Sequence, residues 1–147
     1  MSETASDRLW LRAAIVLQAV GYAIDIAWHG LLKPGEDPAT VAEMAHHLAT
    51  VHLPLYVGAA AVLVTSAVVA LRRPGTASVI AFLGAVVSAG AESWHAYSHL
   101  QLDTHHAPIA GTLSGVGFLV VLVATWRSGR SRRSAEAERA RSGAYPR

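Results

Sequence analysis

"LPLYVGAAAVLVTSAVVAL", residues 53–71, runs for nineteen positions without a charged side chain. A helix rises about 1.5 Å per residue, so this stretch is long enough to cross a hydrocarbon core of about 30 Å. The window from Ala107 to Trp126 is equally free of charge. Two more windows, Ala13 to Ile24 and Pro74 to Ala91, are uncharged up to Asp25 and Glu92 respectively. The pattern predicts an all-α, integral-membrane four-helix bundle with helices at about 9–32, 51–71, 77–100 and 107–126.

Composition agrees, because the chain is 52% hydrophobic and only 15% charged, a balance that soluble domains rarely show. The first apolar run is not expected to be a cleaved secretory signal, since it carries Asp25 near its end and lacks a small-residue cleavage site. With no cysteine, disulfide frameworks and thiolate chemistry are excluded. The last stretch, "RSGRSRRSAEAERARSGAYPR" at 127–147, is polar and basic, which predicts a disordered tail touching anionic lipid. It shows no ordered basic surface for nucleic acid.

Charge is segregated along the chain. Arg8 and Arg12, Arg72 and Arg73, and the run from Arg127 to Arg133 flank one set of helix ends, whereas the other connections hold only Lys33. The positive-inside rule then predicts cytoplasmic termini and a plasma-membrane protein with the opposite ends extracytoplasmic. Trp10 and Trp126 fall at the inner boundary and Trp28 and Trp94 at the outer one, as interfacial belts require. All eight histidines, at 29, 46, 47, 52, 95, 99, 105 and 106, are then on the outer side. Asp25, Glu36, Asp37, Glu43, Glu92 and Asp103 share it.

The halves read as two pseudo-repeated helical hairpins. Trp28-His29 ends one outward helix and Trp94-His95 the other; His52-Leu53-Pro54 and His106-Ala107-Pro108 begin the two returns. His29, His52, His95 and His106 are therefore expected at one depth on four helices. Gln18, Gly21, Asp25 and His29 share a helical face, as do Ala77, Ala81, Gly84, Ser88, Glu92, His95 and His99. Small residues on these faces, with Gly111 and Gly115 on the last helix, suit close packing in a membrane.

Asp25 and Glu92 lie about one turn inside the outer boundary, where an unpaired charge costs several kcal/mol. The arginines are at the far side, which leaves histidine or a cation as partner. Asp25 and His29 are spaced i, i+4, Glu92 and His95 i, i+3, and His95 and His99 i, i+4, so each pair can address one centre. Two carboxylates would neutralise one divalent ion. Imidazole with carboxylate suits iron or zinc, and manganese is compatible. The expected metal ligands are Asp25, His29, His52, Glu92, His95 and His106, with His99, Glu43, His46 and His47 as further candidates. His105 reads as an interfacial residue. In the segment at about 38–50, Asp37 is expected to cap a helix starting at Pro38. Glu43, His46, His47 and Thr50 would form the polar stripe of an amphipathic segment leaning over the outer surface.

The Glu-x-x-His step resembles the ligand pattern of carboxylate-bridged di-iron bundles, and the histidine density resembles membrane non-haem iron oxygenases. The HxxHH boxes of the latter are absent, and only His95 to His99 matches an HxxxH spacing. The expected function is a metal-dependent enzyme, non-haem iron or zinc, acting on a lipid-like substrate reached from the bilayer. A metal carrier, transporter or sensor would use the same ligands without chemistry. A b-type haem protein is a further alternative, which the two carboxylates disfavour. The lipid bilayer is the expected partner, and an oligomer is compatible with this reading.

Overall fold

A computed structural model describes residues 3–35, 38–103 and 106–143 of the chain. Glu36, Asp37 and His105, which carried sequence expectations, lie outside the described residues. Helix α1 spans Glu3–Ala27 and widens into a π-helical turn at Trp28–Leu32. Helix α2, Val41–His47, passes through a second π-helical turn, Leu48–His52, into α3, Leu53–Arg72. Helix α4 is Thr76–Leu100 and α5 is Ala107–Gly143. There is no strand among the described residues.

Four stretches are long and apolar enough to cross a membrane: Ser6–Leu32, Val41–Arg72, Thr76–Leu100 and Pro108–Arg130. Large apolar side chains such as Val64, Leu83, Val116 and Leu119 face outward, while Gln18, Ser66, Ser88 and Ser114 are buried. Polar inside and apolar outside is the arrangement that a hydrocarbon solvent favours.

Two of the expected boundaries differ. The segment at 38–50 is not a separate surface helix, because it continues through the π turn into α3. Its N-cap is Thr40, whose hydroxyl accepts from the Glu43 N–H at 3.2 Å, while the Glu43 carboxylate accepts from the Ala39 and Thr40 N–H groups. This capping box is worth about 1 kcal/mol and commits Glu43 to the backbone. The tail from Arg127, expected to be disordered, continues α5 to Gly143. Alanine, glutamate and arginine are strong helix formers, and helical order here needs no core. Ser134, Ala137, Glu138 and Ala140 are all exposed.

Packing is closest where glycines meet backbone. Helices α1 and α3 approach through Gly21, which lies against the Leu55 backbone, and Gly58, where a Cβ would stand 2.5 Å from the Gln18 Cα. Helices α4 and α5 approach through Gly84 and Gly117, where a Cβ on Gly117 would meet the Ser88 nitrogen at 2.6 Å. Gly115, expected on the contact face, meets nothing within 4 Å. The buried stripe of α5 is instead Ala110, Ser114, Phe118, Val121 and Ala124.

The interior is layered. Ala14, Val62, Ala85 and Val121 form a dry layer of small side chains. Towards the histidine end, Gln18 Nε2 donates to Ser88 Oγ at 2.8 Å, Ser88 and Ser114 hydroxyls lie 3.1 Å apart, and Tyr22 bonds Ser114. Glu92, Asp25 and the histidines follow. Towards the arginine end, Asp7 accepts from Arg72 at 2.9 Å, with Arg73 at 3.8 Å.

Candidate metal centre

His52 is the hub of the histidine end. It is fully buried, and its ring centroid lies 5.6 Å from that of His29, 5.0 Å from His47, 5.4 Å from His95 and 5.5 Å from His99. Tyr56, one turn further along α3, stacks on it at 5.8 Å and 17°. Four imidazoles from three membrane-length helical segments thus surround His52.

Local structure explains each arrival. His29 follows Asp25 by one turn on α1, and His99 follows His95 by one turn on α4, as their i, i+4 spacings require. His47 and His52 are five residues apart, which in a regular α-helix would turn them about 140° away from each other. The π turn at Leu48–His52 accommodates one extra residue, and i and i+5 then share a face. Their Nε2 atoms consequently lie 3.2 Å apart.

Two three-histidine groups could hold a metal ion: His29, His47 and His52, and His52, His95 and His99, with donor atoms within 4.8 Å of one another in each. In the first, His47 Nε2 lies 3.4 Å from His29 Nε2 and 3.2 Å from His52 Nε2. An imidazole nitrogen carries either one N–H or one lone pair, so His47 Nε2 cannot make two good hydrogen bonds. A cation can accept all three lone pairs. Nitrogens held at about 2.0–2.1 Å by one tetrahedral ion are separated by roughly 3.3–3.4 Å, close to these spacings. His95 and His99, with Nε2 atoms 3.0 Å apart, can close on a single N–H···N bond or on an ion.

The carboxylates stand behind this shell. Asp25 Oδ1 is 3.3 Å from His52 Nδ1 and 3.6 Å from His29 Nε2, close enough for electrostatic pairing but poorly aligned for a hydrogen bond. Glu92 is 3% exposed, and neither of its oxygens has a hydrogen-bond partner among the described residues. A half-buried and a buried carboxylate in this condition are neutralised either by a proton or by a nearby positive charge.

Of the ten expected ligands, the structure brings together Asp25, His29, His47, His52, His95 and His99, with Glu92 immediately behind. It does not bring in three others. His106 is exposed and bonds the Asp103 carboxylate, because the chain turns sharply at Leu102, φ 54°, and returns the Asp103 N–H to Ser98 O. Gly111, rather than a histidine, faces the His95 ring, at 3.9 Å from where its Cβ would be. His46 points outward from α2, and Glu43 is held in its capping box. His47 and His99, secondary in the sequence reading, are central, and a search for i, i+5 histidine pairs would have found the first.

Comparison of the chain with family models, curated proteins and solved structures finds no match.

Proposed function

We propose that the protein is an integral-membrane metal protein that holds a divalent transition metal in the His29, His47, His52, His95 and His99 cage and uses it for catalysis. The single observation that carries this is the approach of His47 Nε2 to both His29 Nε2, at 3.4 Å, and His52 Nε2, at 3.2 Å, within a group whose ligand atoms all lie within 4.8 Å of one another. A set dominated by imidazole favours zinc or iron over manganese. Asp25 and Glu92 balance the ion's charge and keep a carboxylate base close to a metal-bound water.

The arginine distribution supports cytoplasmic termini and a cage on the extracytoplasmic side of the plasma membrane. His29 is one-third exposed, so the cage has an opening. An opening flanked by apolar helices favours a lipid-like substrate. The two-hairpin repeat belongs to the same reading, supported by the parallel glycine contacts of α1 with α3 and of α4 with α5.

A carrier reading is favoured by one feature, the buried polar layer of Gln18, Tyr22, Ser88 and Ser114 beneath the carboxylates. The dry layer of Ala14, Val62, Ala85 and Val121 interrupts that route, which supports a one-sided site. Haem is disfavoured, since two axial nitrogens must sit about 4 Å apart across a porphyrin plane. The Nε2 pairs His29–His47, His47–His52 and His95–His99, at 3.0–3.4 Å, are closer than that.

The test is to purify the protein in detergent and measure bound metal and the optical spectrum together. Retained zinc or iron without a Soret band is expected. A protein that never holds metal, and whose stability is indifferent to chelator, would make the cluster a hydrogen-bonded plug and end the proposal.

A further inference from the structure

The arginine end of the bundle carries two adjoining hollows that the metal reading does not use. The first is a cavity of about 600 Å³ whose charged walls are Asp7, Arg8, Arg12 and Arg73. The second, about 510 Å³, is a groove between α4 and α5 formed largely by Ile80, Leu119, Val120 and Val123, with Arg127 on its wall. Thr76, Ala77 and Ala124 line both, so the hollows are immediate neighbours.

The cavity has three arginines against one aspartate, and Asp7 is already engaged by Arg72 and Arg73. Four of its five hydroxyls already donate elsewhere, Ser66 to Leu63 O, Ser78 to Arg73 O and Gly75 O, Thr125 to Val121 O, and Ser128 to Thr125 O, which leaves that of Thr76. Guanidinium groups therefore supply most of the donors, and their planar fork matches phosphate oxygens bidentately. Arg8 and Arg12 stand one turn apart on α1, so both address the same space. A free anion would need only this cavity. The attached groove, whose Ile80, Leu119, Val120 and Val123 are each at least 36% exposed, suits a hydrocarbon chain.

We propose that this end binds one anionic phospholipid, with its phosphate among Arg8, Arg12 and Arg73 and an acyl chain along the α4–α5 groove. The proposal rests on the membrane-spanning reading and is independent of the metal. A zwitterionic lipid would bring its ammonium group against the same arginines, so the site discriminates by headgroup charge as well as by chain.

The experiment titrates the purified full chain in detergent with phosphatidylglycerol, phosphatidylcholine and inorganic phosphate, read by native mass spectrometry. One phosphatidylglycerol per chain is expected, bound about tenfold or more tightly than phosphatidylcholine. The double variant R8Q/R12Q, at two exposed positions, should lower that affinity by about tenfold or more, while R130Q leaves it unchanged. V120W should weaken lipid binding by filling the groove. Each variant is checked for helix content and bound metal, so that a loss of lipid with metal retained separates this site from the histidine cage. Equal binding of the two lipids, undiminished binding by R8Q/R12Q, or displacement of the lipid by inorganic phosphate alone would each overturn the proposal.

Discussion

His47 and His52 place their Nε2 atoms 3.2 Å apart across five residues, a distance that only the π-helical turn between them allows. Single π turns inside longer helices recur at functional sites because they re-aim side chains without breaking the helix. Here the turn brings His47 inside and leaves its neighbour His46 facing out.

This relationship predicts that two adjacent histidines behave oppositely. His47→Ala should lose bound metal, and His46→Ala should retain it in full. Metal content of the two purified variants is the measurement; equal retention would mean that the π turn does not set the site.

His52→Ala should be the most damaging single change at the cage, because His52 belongs to both three-histidine groups. Loss of affinity should exceed the roughly 10–100-fold typical of residues that only orient a ligand. His106→Ala should leave affinity unaltered, since His106 pairs with Asp103 outside the cage. Isothermal titration with zinc distinguishes the two.

Glu92→Gln should act with opposite sign on the two states of the protein. In chelator, removing a buried carboxylate that lacks a hydrogen-bond partner should raise the melting temperature, by about 2–4 °C for each kcal/mol relieved. With metal bound, the same substitution removes a balancing charge and should lower it. Thermal unfolding with and without zinc reads both signs, and a shift in the same direction in each would count against charge balance by Glu92.

The helix contacts predict a contrast between two glycines on α5. Gly117→Ala must displace the Ser88 backbone and should cost about 1–3 kcal/mol by overpacking. Gly115→Ala meets open space and should stabilise the helix by about 0.8–1.0 kcal/mol. Denaturation in mild detergent compares them.

Much of the site was legible because it follows helical periodicity. Asp25 with His29, and Glu92 with His95 and His99, lie on faces that i, i+3 and i, i+4 steps define, and burial of Gln18, Ser88 and Glu92 follows from the same stripes. The expected ring of His29, His52, His95 and His106 was only partly realised. Depth along the bundle axis, which spacing predicts, does not determine which way a side chain turns about its helix.

What the sequence by itself determined is the set of charge-free runs long enough to span a membrane, the separation of arginines from histidines, and the faces that α1 and α4 turn inward. These depend on composition and on a period that the chain carries locally. Tertiary structure decided that an extra residue in a π turn aligns His47 with His52 and that Gly117 rather than Gly115 meets α4, while Asp103 captures His106 and Thr40 claims Glu43 through local bonds that helical periodicity does not register. The π turn and the glycine contact depend on a one-residue change of register and on which faces meet, and both are settled only when the helices pack against one another.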